Sequence, residues 1–169
     1  MIHFSLNLIS DNLDQLEKRI KELDKAEAFV GYDKSQGTHE ESGLPYPDLM
    51  KILSIGFSPR NLPARPIFTI AKDAYNIKSS PIKKDLTKYF SNIKNSTAPI
   101  STDKIGENWA ADFGEDILRM FGSTSHLDDN AESVQDRKGF NAPLVNEGDL
   151  RDNLGYSTND SPVKKLKNI

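Results

Sequence analysis

The stretch that decides the fold reads Ala26-Glu27-Ala28-Phe29-Val30-Gly31-Tyr32. It is short and apolar, and turn-forming residues bound it on its far side, so it predicts a β-strand. Ser10 is suited to cap a helix ahead of this strand. In that helix, apolar residues recur at helical spacing among mostly charged ones, at Leu13, Leu16, Ile20 and Leu23.

Further helices are predicted downstream of the strand. The first lies at residues 47–56, between Pro47 in its first turn and a closing Gly56. Between this helix and the next, residues 58–66 contain three prolines, which predicts a stiff extended connector. The later helices carry their apolar stripes at residues 67–75, 82–93 and 105–120.

Two glycines interrupt the helix predicted at residues 105–120. Gly106 and Gly114 each weaken a helix by up to about 1 kcal/mol relative to alanine. We interpret them as positions where the helix packs closely against a neighbour.

The remaining segments are mostly polar. Residues 33–46 and 123–141 predict long loops, which we expect to become ordered only on assembly; equal protection of both from proteolysis in the isolated chain would contradict this. Residues 143–145 predict entry into a short strand, and residues 147–156 predict a compact turn or helix. Residues 157–169 predict a polar, basic tail that frays.

These elements predict an α+β fold, with a small sheet packed with several helices and long polar loops. The chain has 169 residues, which fits a single domain, predicted at residues 1–156 ahead of the tail. Hydrophobic residues make up 36%, a lean supply that indicates stabilisation by partners. The absence of cysteine excludes disulfides and suits a reducing cytoplasm. Neither a signal peptide nor a membrane-spanning run is found, which predicts a soluble protein.

Charge is segregated along the chain. Residues 60–95 contain eight basic and two acidic residues, a net charge of +6. Residues 101–160 contain thirteen acidic and five basic residues, a net charge of -8. Such asymmetry suits the docking of like subunits through complementary surfaces, and it equally suits two solvated helix faces that happen to differ.

Catalytic and metal-binding motifs are absent from the sequence. Glycine-rich nucleotide loops, His-Glu-x-x-His and Gly-x-Ser-x-Gly do not occur. His3, His39 and His126 lie far apart, and the acidic residues after His126 suit a solvated loop better than a metal site. Glu40 and Glu41 are adjacent in a polar loop, so we discount them as catalytic carboxylates. We predict no catalytic residue, no cofactor and no metal.

Several segments occur in an order that resembles one family. They are Phe29-Val30-Gly31-Tyr32, Asp48 to Gly56, Pro63-Ala64-Arg65-Pro66-Ile67-Phe68, Asp136-Arg137-Lys138-Gly139, and Pro143-Leu144-Val145-Asn146-Glu147-Gly148-Asp149-Leu150-Arg151-Asp152-Asn153-Leu154-Gly155-Tyr156. Together they resemble the tail-completion, or head-to-tail joining, proteins of long-tailed double-stranded DNA bacteriophages. Pro63 and Pro66 stiffen the approach to a helix, and Gly148 permits a turn unavailable to other residues.

The resemblance implies a non-catalytic structural protein of the virion, made in the host cytoplasm and located in the neck at the head-proximal end of the tail. It implies a ring of identical copies that makes the tail competent to join a filled head. The implied partners are tail-tube, tail-terminator, connector or tape-measure proteins. Proximity to DNA is compatible with such a ring, and no membrane is expected as a partner.

Candidate interface residues follow from the charge segregation beside stiff turns. The equal alternative for Arg65 is a donor to carbonyl oxygens inside the fold, and unchanged assembly after Arg65→Ala would rule out its interface role. The candidates are Arg60, Arg65, Lys83, Lys84, Lys88, Asp149, Arg151 and Asp152.

Other functions are compatible with the same sequence. The nearest is a tail-terminator or neck connector ring protein. A small DNA-binding protein is another, with lysines of residues 83–94 on the phosphates and Tyr75, Tyr89 or Phe90 stacking on bases, although helical spacing favours these aromatics as core. A metal-dependent hydrolase comes last.

Overall fold

The computed structural model describes residues 3–60, 62–76, 80–95, 97–159 and 161–166, with the backbone alone described at residues 3–11 and 60. Its helices and strands in chain order are α1 (His3–Asp24), β1 (Ala28–Gly31), α2 (Tyr46–Ile55), α3 (Ile67–Ala74), α4 (Ile82–Tyr89), α5 (Thr102–Met120), α6 (Glu132–Lys138), α7 (Asp149–Asp152), β2 (Gly155–Thr158) and β3 (Lys164–Lys165). Short 3-10 turns lie at Lys34–Gln36 and Ser58–Arg60. The predicted α+β fold class is confirmed.

The strands form one antiparallel sheet in the order β1-β2-β3. In the pairing of β1 with β2, Ala28 lies opposite Thr158 and Gly31 lies opposite Gly155. β3 adds to the other side of β2. β2 is therefore the central strand, and the outer side of β1 has no partner strand among the described residues.

The long helix α5 packs closely against its neighbours at two glycines. A Cβ atom added at Gly106 would lie 3.0 Å from Thr158 in β2 and 3.4 Å from Ala28 in β1. A Cβ atom added at Gly114 would overlap the side chain of Leu166, which follows β3. The missing side chains bring the helix close to the sheet at Gly106 and make room for Leu166 at Gly114, which confirms the prediction of close packing at both glycines.

The core lies between α5, the sheet and the short helices α2 and α3. Its fully buried side chains include Ile67, Ile117 and Leu154. A smaller cluster beside α4 contains Ile82, Tyr89 and Ile105. Trp109 packs against both clusters, so the two are continuous.

Helices α2, α3 and α5 match the helices predicted at residues 47–56, 67–75 and 105–120. The helix predicted at residues 82–93 is shorter, because α4 ends at Tyr89. Asn92 takes a φ of 50°, a left-handed conformation that an α-helix does not contain.

Helix α1 differs from its prediction in two ways. It begins at His3, so the N-cap predicted at Ser10 is wrong. Its buried face also differs, since Leu13 is 58% exposed and Ile20 is 51% exposed, whereas Arg19 is 2% exposed. The helix therefore turns a charged residue inward and leaves two apolar residues on its outer face.

The polar segments contain more structure than their composition predicts. Residues 123–141 include α6, which ends at Gly139 with a φ of 77°. Residues 33–46 include a 3-10 turn with a capping box between Asp33 and Gln36. No strand begins at residues 143–145, and that prediction is wrong, because Leu144 takes a left-handed φ of 61°.

The fraying predicted for residues 157–169 is wrong for residues 157–158 and 164–166. The first pair belongs to β2, and Lys164–Lys165 forms β3. Leu166 is buried against α5, and its N–H donates to Leu154 O at 2.9 Å. One apolar side chain therefore fixes a segment whose composition is polar.

We expect Gly56→Ala to destabilise the protein more than Gly139→Ala. Both glycines have a positive φ, of 74° and 77° respectively. At Gly56, however, an added Cβ would lie 2.7 Å from the backbone oxygen of Leu62, whereas at Gly139 nothing lies within 4 Å. We expect losses in the free energy of unfolding of about 3 kcal/mol and about 1 kcal/mol, respectively. Urea unfolding of both variants measures them, and equal losses would contradict the steric argument.

Candidate assembly interface

Tyr32 is the point at which distant segments of the chain meet. It is buried, and its hydroxyl donates to Leu150 O at 2.5 Å. Its ring stacks on Tyr46 at 6.0 Å and meets Phe68 edge-on at 6.2 Å. Burial raises the pKa of Tyr32 well above its ordinary value, so the phenol remains a donor. One side chain thus joins β1 to α2, α3 and α7.

Asn153 strengthens the same junction from the end of α7. Its side-chain amide donates to Tyr46 Oη at 2.9 Å. Its backbone oxygen accepts from Gln36 Nε2 at 2.6 Å. The turn before α7 depends on Gly148, whose φ of 97° confirms the predicted role of this glycine.

Arg65 was predicted either as an interface residue or as a donor to carbonyl oxygens inside the fold, and the structure shows the second arrangement. The side chain is 5% exposed, and its Nη2 donates to Asp129 O at 3.0 Å and to Asn130 Oδ1 at 3.1 Å. It also donates from Nε and Nη2 to Asp128 O, at 3.3 and 3.2 Å. Burial lowers the pKa of Arg65, and the nearby charges of Asp128 and Asp129 oppose that shift. Arg65 therefore orders the segment ahead of α6 within one chain.

Arg19 plays a similar part between α1 and the segment that follows α4. Its guanidinium donates to Tyr89 O at 2.6 Å and to Ser91 O at 2.8 Å. It donates over 3.0–3.3 Å to further carbonyl oxygens, those of Asn92, Asn95 and Thr97. This role of Arg19 was not predicted from the sequence. The available signal was its position, three residues after Leu16 and four before Leu23 on one helix face.

A basic surface covers the outer side of α4. Lys83, Lys84 and Lys88 are exposed, whereas Ile82 and Tyr89 on the opposite side are buried. None of the three lysines forms a salt bridge with a described residue. The backbone of Arg60 lies in the 3-10 turn after α2, and its side chain is outside the described residues.

The predicted residues near the chain end share the short helix α7. Arg151 and Asp152 are exposed, and Asp149 is half-buried. Within the described part of the chain, no salt bridge engages any of them. Their charges are therefore available to a partner.

Large apolar side chains are also exposed. On α1, Leu13 and Ile20 lie two turns apart on the outer face described above. At the end of α2, Ile55 is 71% exposed and Phe57 is 45% exposed. The sequence predicted Leu13 and Ile20 as core residues, so the apolar outer face of α1 was not predicted.

The two histidines with described side chains, His39 and His126, bond neighbouring serines, and the side chain of His3 lies outside the described residues. His39 Nδ1 bonds Ser42, and His126 Nδ1 bonds Ser123 and Ser125. Glu41 accepts from Asn146. No group of three metal-ligating side chains occurs among the residues described.

One polar network is buried beneath the aromatic side chains of α5. Asp112 Oδ2 accepts from Ser80 Oγ at 2.5 Å and from Tyr75 Oη at 2.8 Å. Burial raises the pKa of Tyr75 to about 12. The network ties the ends of α3 and α4 to α5, and it accounts for Tyr75 as a structural residue.

Comparisons of the chain with models of protein families, with curated proteins and with solved structures gave no match. Across the described ranges, none of the helices has both the length and the apolar character required to cross a membrane.

We expect Arg19→Met to lower the free energy of unfolding by about 2–4 kcal/mol, because it leaves several carbonyl oxygens without their charged donor. Lys18→Met is the matched control, since the Lys18 side chain is 59% exposed on the same helix. Urea unfolding measures both, and cleavage near Ser91 by a protease added in trace amounts should rise in Arg19→Met alone. Equal stability of the two variants would contradict the anchoring role of Arg19.

Proposed function

We propose that this protein is a structural component of the head-proximal end of a bacteriophage tail, where it completes the tail and enables head-to-tail joining. The observation that supports the proposal is the meeting of the family-like segments around Tyr32. Tyr32 closes the first segment, contacts Phe68 of the third, and donates to Leu150 in the last. The second segment joins them where Arg65 N–H donates to Leu53 O at 2.8 Å.

The remaining family-like segment also reaches the last one. Lys138, in α6, donates from its Nζ to Val145 O at 2.5 Å. Residues that resemble the family's pattern therefore contact one another within this fold. A resemblance carried by the framework supports a shared architecture more strongly than one carried by scattered surface positions.

In this proposal the protein acts by binding other subunits, not by catalysis. Identical copies form a ring through the apolar outer face of α1 and through complementary charges. The lysines of α4 and the charged residues of α7 supply those charges. The ring contacts the tail-tube end, the tape-measure protein or the connector. A tail-terminator or neck connector ring would use the same surfaces at the same junction.

The basic surface of α4 favours a second candidate function, which is binding to DNA. Exposed lysines along one face of a helix bind phosphates without reading sequence. In that case the affinity of the purified protein for duplex DNA falls steeply with salt, and reversal of Lys83, Lys84 and Lys88 to glutamate abolishes it. If the protein acts only as a structural tail component, loss of its DNA affinity alone leaves tail assembly unchanged.

We expect the double variant Leu13→Lys/Ile20→Lys to fold normally, because both side chains are exposed, and to lose ring assembly. Light scattering and electron microscopy of the purified protein measure assembly, and thermal unfolding checks the fold. Lys21→Ala is the control on the same helix, where the lysine is 68% exposed.

The same variants test the location in phage particles that carry the gene. We expect an antibody against the protein to label the neck, and we expect the double variant to accumulate unjoined heads and tails. Purified particles without the protein would overturn the proposed function.

A further inference from the structure

A groove with a volume of about 700 Å³ runs beside the outer edge of β1. Four consecutive residues, Phe29 to Tyr32, line one side of it. Neighbouring side chains of a strand point to opposite faces of a sheet. A groove lined by consecutive residues therefore meets the strand at its edge and not at one face.

The edge of β1 presents unpaired backbone groups to this groove. Antiparallel pairing uses the N–H and C=O groups of alternate residues. Asn159 N–H donates to Glu27 O at 2.9 Å, so in this register Glu27, Phe29 and Gly31 are the residues that bond β2. The N–H and C=O of Ala28 and Val30 point outward, and within the described ranges neither residue's backbone hydrogen-bonds on that side.

The other sides of the groove are apolar. Helix α2 contributes Pro47 and Met50, and α3 contributes Phe68. Helix α5 contributes Trp109 and Phe113, whose rings stack at 5.3 Å. An extended segment lying along β1 would place every second side chain on one face of the enlarged sheet, next to these aromatic rings.

The charged residues of the groove have one sign in the part of the chain that the structure describes. There, Lys51 and Lys72 are the charged side chains that line the groove, and both are exposed. Neither forms a salt bridge with a described residue. Asp112 lies behind Tyr75 and is already bonded to Tyr75 and Ser80. The free charge at the groove therefore favours carboxylates.

The edge also lacks several of the features that keep exposed strands from pairing. Proteins protect such edges with charged side chains, proline or bulges, and by keeping the edge strand short. The sequence of β1, Ala28-Phe29-Val30-Gly31, is short but contains no charged residue and no proline, and Phe29 is 42% exposed beside the edge. An exposed edge next to an apolar groove is an arrangement that binds an extended peptide by adding it to a sheet.

We infer that the groove binds an extended segment of a partner protein, which pairs with β1 as an added strand. The segment places apolar side chains at alternate positions against Phe68, Trp109 and Phe113, and it places carboxylates beside Lys51 and Lys72. This inference goes beyond the proposed function, because it holds for any partner with such a segment, inside or outside a phage particle.

Selection from a display library of random peptides tests the inference. Peptides of about eight residues are long enough to cover a short strand. We expect the full chain to enrich sequences with alternating apolar residues flanked by glutamate or aspartate. For the most enriched synthetic peptide, Lys51→Glu/Lys72→Glu should weaken binding by about tenfold or more, as measured by fluorescence anisotropy. Lys83→Glu/Lys84→Glu, on the basic surface of α4, is the matched control and should change binding less than twofold.

A second measurement reports the strand pairing itself. On binding the peptide, the Val30 amide should gain protection from hydrogen exchange, whereas the Phe29 amide, already bonded to β2, should change little. Failure to enrich any peptide, equal binding by both charge-reversed variants, or an unprotected Val30 amide would overturn the inference. Protection of Val30 that grows with protein concentration in the absence of peptide would assign the groove to a second copy of the chain, which also overturns it.

Discussion

The close packing of α5 against the sheet is the constraint on which the rest of the structure depends. Gly106 lies over the pairing of Ala28 with Thr158, and Gly114 leaves the space that Leu166 fills. This contact fixes the position of β1 and turns the next residue, Tyr32, into the core. It also places Trp109 and Phe113 beside the edge of β1. A side chain at Gly106 would press on Thr158 and Ala28, and one at Gly114 would displace the side chain of Leu166.

Two buried arginines order segments of the chain that have no regular secondary structure. Arg19 gathers backbone oxygens after α4, and Arg65 gathers those that precede α6. Each guanidinium offers up to five donors in a fixed plane, so it can satisfy several carbonyl oxygens at once. The dipoles of these carbonyls stabilise the charge, and at Arg65 the nearby charges of Asp128 and Asp129 add to that stabilisation. A chain lean in apolar residues thus orders its irregular segments through polar contacts at its core.

Much of the framework could be predicted because it depends on local pattern. Helical spacing of apolar residues predicts the helices at residues 47–56 and 105–120. A short apolar run likewise predicts the strand that ends before Tyr32. Arg19, α6 and β3 could not be predicted in this way. Arg19 depends on carbonyl oxygens about 70 residues away in the chain. Lys164 and Lys165 become a strand because Leu166 is held by α5, a contact that no local pattern contains.

The candidate interface residues fall into an exposed group and a buried one, and the difference again depends on contacts with distant parts of the chain. The lysines of α4 are exposed, and so are Arg151 and Asp152 of α7, because a solvated helix face needs no distant partner. Arg65 lies instead between prolines and apolar residues, and the fold brings the segment 128–130 over it and buries it. Charge identifies a residue that needs polar partners, and only the fold decides whether those partners are solvent, another protein or its own backbone.

The pairing of β1 with β2 carries a consequence for how the chain matures. Glu27 and Asn159, which flank the paired strands, are 132 residues apart. Loop closure over such a separation is slow, and a ribosome must deliver all the residues between the two strands before the second strand exists. The helices between them have time to form before the sheet closes. In a nascent chain, Phe29 and Val30 therefore have no strand paired on either side of them until the sheet closes. A chaperone that shields short apolar runs would act during that interval.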